Sequence, residues 1–275
     1  MWDMVLVVCS LAALGILTSA ELTPGAGKPA IKKRGTIDCD MMETTPVVFN
    51  GRLYRFEYVR GGHYGNRTGD SYFRFIDVAS GKATPAFAKG YHLGCAHVEG
   101  NTVYVYAVDR WGGSTITVFH SQDLCQWDSQ TALSLPGWGI YNTSVCKENG
   151  RYVMAVELGE PPEVVGVRFT MRFAESRDLL HWHLLPEEYV YSRERYTACP
   201  CLRYVDGYYY MIYLEERPGP CYVSHIVRSQ DLARWESSPL NPVLEFSDED
   251  KAIANPNLTP AQRSKIAGAV NINNS

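Results

Sequence analysis

The chain is predicted to be all-β, a propeller of four-stranded antiparallel blades, and three observations predict it. Ser-x-Asp-Leu-x-x-Trp is written three times, as SQDLCQW at 121–127, SRDLLHW at 176–182 and SQDLARW at 229–235. The copies start 55 and 53 residues apart, the length of one supersecondary unit repeated in a propeller, solenoid or array. Tight-turn dipeptides Asn50-Gly51, Gly100-Asn101, Asn149-Gly150 and Asp206-Gly207 keep the same rhythm and sit between apolar stretches. Finally, 45% of the 275 residues are apolar, 18 are Tyr and only 20% are charged. That composition suits strands with a buried core and argues against disorder.

Each unit is read in the same order. A first strand runs into the turn (TTPVVF, GCAHVE, TSVCKE, CPCLRYV) and a second leaves it (RLYRFEYV, TVYVYAV, RYVMAVEL, YYYMIYLE). A third follows as YFRFIDV, STITVFH, VRFTMRFAE or YVSHIVR. The Ser-x-Asp-Leu-x-x-Trp motif then turns the corner into a short fourth strand. Its Ser and Asp suit a side-chain-capped turn, and its Leu and Trp suit packing between sheets. The first unit has FIDVASG in place of the Trp motif, as expected of a terminal repeat. The units begin near Asp38, Tyr91, Gly139 and Tyr196. After the fourth, Thr259-Pro-Ala-Gln262 reads as a helix start, and the closing NINNS reads as the start of a fifth inner strand, so the ring is expected to be incomplete at its C-terminus.

The N-terminus carries an apolar run from Met4 to Leu17 followed by Thr18-Ser19-Ala20. Its length fits a secretory signal over 1–20 and falls short of a membrane span, so the protein is expected to be secreted or periplasmic. Residues 21–35 read as a linker and 36–275 as the propeller. The flanking charges leave a misassigned start or a membrane anchor as alternatives, because Asp3 precedes the run and Lys28, Lys32, Lys33 and Arg34 follow it. A net charge of −4 gives no basic footprint for nucleic acid. Seven cysteines lie beyond the leader. An odd number is no disulfide framework, and Cys199-x-Cys201 is not a zinc or redox spacing, so they are read as small buried apolar residues. No cofactor and no metal is called for. Asn66, Asn142, Asn257 and Asn273 head glycosylation sequons.

The three Trp corners, together with CPCLRYVDGYYYMIY and TTPVVFNGRLYRFEY, resemble the five-bladed β-propeller glycoside hydrolases, the group of families 43, 62, 32, 68, 117 and 130. The resemblance runs over residues 36–246. It implies a central channel lined by the first strand of each blade, a carbohydrate substrate and catalytic acids on those strands. The family 43 pattern implies a general base among Asp38, Asp40 and Glu43, with Glu43 favoured by register. It also implies an Asp where this chain has Asn142 and a Glu where it has Ala198. Families near 117 can use a channel His as acid, which points to His97. Glu57, Asp109, Glu157 and Glu215 each end a second strand and read as one architectural position; Glu157 and Glu215 are the catalytic candidates among them. Tyr141, Asn142, Arg195 and Tyr196 flank the inner strands as candidate sugar contacts. Two other functions are weighed, a non-catalytic sugar-binding propeller and a kelch-like interaction propeller. The second is hinted at by Gly61-Gly62 and Gly112-Gly113.

Overall fold

The structure is a computed structural model and describes residues 32–39, 42–62, 66–219 and 221–270. The signal-like leader, Asp40, Asn273 and NINNS lie outside the described residues. Four antiparallel sheets follow one another along the chain. The first holds β1 (Met42–Phe49), β2 (Arg52–Val59) and β3 (Tyr72–Asp77). The second holds β4 (His92–Glu99), β5 (Thr102–Val108), β6 (Thr115–Ser121) and β7 (Asp128–Ser134). The third holds β8 (Gly139–Glu148), β9 (Arg151–Glu160), β10 (Thr170–Ser176) and β11 (His183–Leu184). The fourth holds β12 (Ala198–Val205), β13 (Tyr208–Arg217), β14 (Cys221–Ser229) and β15 (Glu236–Ser237). The inner strands β1, β4, β8 and β12 are neighbours in that order.

The expectation of four complete blades holds for three of them. In the first blade the outer strand is reduced to two bridges, Ile76 with Ala83 and Phe73 with Phe87. All four predicted hairpins form. Asn50-Gly51, Asn149-Gly150 and Asp206-Gly207 hold both central residues at positive φ, the turn whose twist matches the flanking strands. At Gly100-Asn101 only the glycine is at positive φ, the mirror-type turn with Gly in first place.

The repeated corner is built the same way three times. Ser121, Ser176 and Ser229 accept the amide N–H of Leu124, Leu179 and Leu232 at 2.9–3.0 Å. Asp123, Asp178 and Asp231 each accept two further amides. Those bonds hold the three aspartates below the usual carboxylate range; in Asp178 they outweigh an opposing desolvation. The turn puts each leucine at positive φ (63°, 67° and 63°) and buries it. The tryptophans were expected to be mostly buried in equivalent positions. All three pack against the clusters between blades, Trp182 at 4% exposed and Trp127 and Trp235 half-buried. Three apolar clusters fill the interfaces between consecutive blades. Phe56 and Phe73 of the first blade meet Val105 of the second, Tyr106 meets Met154 of the third, and Phe173 meets Met211 of the fourth.

Residues before β1 are tied to the segment after β15. Thr36 pairs with Ile253 in a parallel bridge, and the Lys33 ammonium donates to Glu245 O, Ser247 Oγ and Asp250 Oδ2. Gln262 Nε2 donates to Asp38 Oδ1 at 2.9 Å. Gln262 belongs to the predicted helix, observed as Pro260–Ala267 with the Thr259/Gln262 capping box in place.

Candidate functional site

Every inner strand carries a β-bulge near its start: Met42/Thr45, His92/Cys95, Ile140/Thr143 and Ala198/Cys201. A bulge re-aims the side chains around it, which is why bulges gather beside active sites. Three bulges hold a non-glycine residue in the left-handed region: Glu43 at 49°, Leu93 at 55° and Cys199 at 51°. Each such residue costs about 1–3 kcal/mol that the surrounding sheet must offset. With the hairpin pairs Phe49–Arg52, Glu99–Thr102, Glu148–Arg151 and Val205–Tyr208 superposed, Glu43, Leu93, Asn142 and Cys199 fall at one height around the axis.

A cavity of about 130 Å³ opens at that height, lined by Glu43, Thr45, Cys95, Thr143, Cys199 and Arg203 among others. Among the described residues Glu43 is the one carboxyl in its lining. Cys199 Sγ approaches Glu43 Oε1 at 3.8 Å and Asn142 Nδ2 at 3.5 Å. Behind them lies Glu157, 2% exposed, whose Oε2 accepts Asn142 Nδ2 at 2.9 Å and the Cys199 amide at 2.7 Å. Burial pushes the Glu157 carboxyl up to about 7 against the pull of those donors. Burial, followed by repulsion from Glu157, pushes Glu43 up to about 8, and the Cys199 thiol offsets only part of this. Two carboxyls in one poorly solvated pocket cannot both ionise at neutral pH, and the group with fewer donors keeps the proton. That group is Glu43.

This coupling has a stability signature. A carboxyl with a raised folded-state pKa stabilises the fold fully below its unfolded value and ceases to as pH rises through the folded value. The melting temperature is therefore expected to fall between about pH 5 and pH 9, and to fall less in a Glu43→Gln/Glu157→Gln double variant. Parallel curves for the two proteins would refute the coupling.

The four acids read from the sequence as one position occupy three. On the same hairpin superposition Glu157 is level with Tyr58, Val108 and Leu214, Glu57 is one residue short, and Asp109 and Glu215 are one residue beyond. Side chains alternate along a strand, so one residue reverses the face. Glu157 alone turns toward the following blade, where it meets Cys199. Glu57 is held instead by Arg55 and Arg74, and Asp109 pairs with Arg110. Glu215 is engaged by Arg195 at 3.4 Å, His225 at 3.2 Å and Tyr213 at 3.2 Å, and it does not line the cavity.

Asp38, Asp40, Glu43 and His97 were expected to converge on one mouth; Asp40 lies outside the described residues, and Asp38 and His97 do not join Glu43. Asp38 caps the Cys39 amide and accepts Gln262, which places it in the tie between the chain's two flanking segments. His97 sits further along β4, in a second cavity of about 270 Å³ lined also by Lys147, Arg203 and Tyr204. Burial pushes its imidazole down to about 4, and Arg203 and Lys147 add to this, so it is neutral at neutral pH. Of the candidate sugar contacts, Asn142 is 7% exposed and spent on Glu157, and that burial excludes it as a glycan acceptor. Arg195 is spent on Glu215, whereas Tyr141 and Tyr196 are half-buried beside the mouth. The reading of the cysteines as buried apolar residues holds for Cys95 and Cys146; Cys39, Cys199 and Cys221 are half-buried, Cys199 in the cavity lining, and Cys125 and Cys201 are exposed.

No sequence-family profile matches the chain, and no curated protein matches it in sequence. Comparison with solved structures does find relatives. The α-L-arabinofuranosidase CtGH43 of Clostridium thermocellum aligns at TM-score 0.52 and 16% identity, over 77% of this chain and 74% of that one. The family 43 protein BlXynB of Bacillus licheniformis aligns at 0.53 and 13%, over 78% and 45%. The family 32 β-fructofuranosidase BmSUC1 of Bombyx mori aligns at 0.50 and 11%, over 76% and 52%. The fold is that of the β-propeller glycoside hydrolases. The chain therefore spans about half the length of the last two proteins. No helix among the described residues is long and apolar enough to cross a membrane.

Proposed function

We propose that the protein is a glycoside hydrolase in which Glu43 is the proton donor, kept protonated by its own burial and then by the neighbouring Glu157. The observation carrying this reading is the Glu43 carboxyl, raised to about 8 in the lining of a cavity at the bulged ends of the inner strands. A glycosidase needs an acid protonated at working pH beside the leaving oxygen and a carboxylate on the other side of the sugar. Glu43 meets the first requirement. For the second we assign Asp40, just upstream of Glu43 in the sequence. Where the family 43 pattern has its acid, this chain has Ala198 followed by Cys199, and the Cys199 amide instead holds Glu157.

The test is a screen of aryl glycosides, led by arabinofuranosides, xylosides and fructofuranosides, with Glu43→Gln and Asp40→Asn as controls. Release of aryl alcohol that both substitutions suppress supports the reading. Asp40→Asn at full turnover removes Asp40 from it. A second reading is a sugar-binding propeller without turnover, favoured by the single carboxyl that the described residues place in the cavity lining. Glycan binding with no cleavage of any glycoside would establish that alternative.

A further inference from the structure

Six aromatic rings follow one another around the mouth. His92 and Trp111 belong to the second blade, Tyr141 and Phe169 to the third, and Tyr196 and Tyr222 to the fourth. Successive ring centres are 6.3, 6.0, 4.9, 5.3 and 5.9 Å apart, and four of the five contacts are edge-to-face. Five of the rings are half-buried. Trp111 is 53% exposed, and no other described tryptophan approaches that exposure. Ordinary core packing does not leave an indole in water at the tip of the loop between β5 and β6.

The rim is held in place from below. A Cβ on Gly159 would meet Tyr141 at 2.6 Å and Phe169 at 2.9 Å, so only glycine lets those two rings lie over β9. The rim also adjoins the carboxyls: Tyr141 precedes Asn142 and Tyr196 lies just before Cys199, both of which donate to Glu157, and the Tyr58 hydroxyl meets His92 Nδ1 at 2.6 Å. Within the described residues the hydroxyls of Tyr141 and Tyr196 make no hydrogen bond, so each can serve a ligand. Apolar ring faces with polar edges suit a sugar, whose two faces are C–H rich and whose rim is hydroxylated.

We propose that this rim, anchored on Trp111, is a stacking surface for the sugar units of a polysaccharide beyond the one at Glu43. The inference rests on the carbohydrate reading above and adds its substrate class. One monosaccharide would cover one ring, whereas six rings running from the second blade to the fourth offer a track to a chain.

The test is retardation of the full chain in native gels containing arabinoxylan, xyloglucan or inulin. Wild type is expected to be slowed by at least one of them. Trp111→Ala should weaken that binding about five- to tenfold, the value of one lost stacking contact, while Trp111→Tyr keeps most of it. Trp111 is mostly exposed, so its truncation leaves the core untouched. No retardation by any of the three polymers, or Trp111→Ala binding as tightly as wild type, overturns the proposal. Glu43→Gln separates the two readings. If it keeps turnover while Trp111→Ala loses affinity, the catalytic assignment falls and the rim stands. If it abolishes turnover while Trp111→Ala binds normally, the rim alone falls.

Discussion

Replacing Glu43 by glutamine is expected to lower kcat about 100-fold to 10,000-fold on any glycoside the protein cleaves, the usual worth of a positioned acid or base. Glutamine matches glutamate in shape but has no acidic proton to give. Among the described residues the Glu43 carboxyl makes one weak hydrogen bond, from the Cys199 thiol, so the fold should survive the change and the melting curve should confirm it. A companion measurement tests the electrostatics. Glu157 repels charge on Glu43, so neutralising it as Glu157→Gln should let the Glu43 pKa fall from about 8. The alkaline limb of kcat/KM reports loss of the donor's proton, and it should move to lower pH. Full turnover in Glu43→Gln would end the assignment. An alkaline limb that moves upward in Glu157→Gln would show that the two carboxyls do not interact as described.

The second large effect lies in the core. Trp182→Ala is expected to cost about 3–5 kcal/mol, the range for deleting a buried large aromatic. Trp182 is wedged between the second and third blades. Its amide donates to Ala132 O, its indole N–H to Leu179 O at 3.2 Å, and its ring meets Tyr106 edge-on at 5.5 Å. The half-buried Trp127 and Trp235 have less to lose, so the same substitution there should cost less. Thermal unfolding of the three variants ranks them directly. Equal losses at all three positions would mean that the corners contribute alike despite their different burial.

The architecture was legible because its signals are local. A Gly in a two-residue turn, or a Ser and an Asp two residues apart at a corner, fixes backbone hydrogen bonds within a few residues. Repetition then multiplies the signal, and the helix at Pro260–Ala267 was readable from its cap for the same reason. The first blade's outer edge was harder, because two bridges leave no periodic pattern. Of the proposed site, Glu43 was singled out by its register before Asn50-Gly51, though as a general base, and its burial, which favours the proton donor's role, was not legible. Nor was the role of Glu157. Its face follows from an even number of residues after its hairpin, where the other three acids have an odd one, a count that position at a strand end ignores. Counting acids at strand ends therefore grouped Glu157 with Glu57, Asp109 and Glu215, although pairing sends it to the opposite face. His97 failed for a related reason: a residue can be on an inner strand and still sit at the wrong depth.

The contacts of Lys33, Thr36 and Asp38 with residues 245–262 join positions more than 200 apart in sequence. Each blade hairpin closes a short loop and can form early, whereas these contacts demand that four stacked sheets already bring the two segments into reach. Contacts of such high sequence separation are expected to form only after the folding barrier is crossed. Interactions of that kind leave the folding rate nearly untouched and slow the escape from the native state. The fastening before the first blade is accordingly expected to set the lifetime of the folded chain, with the speed of assembly left to the hairpins.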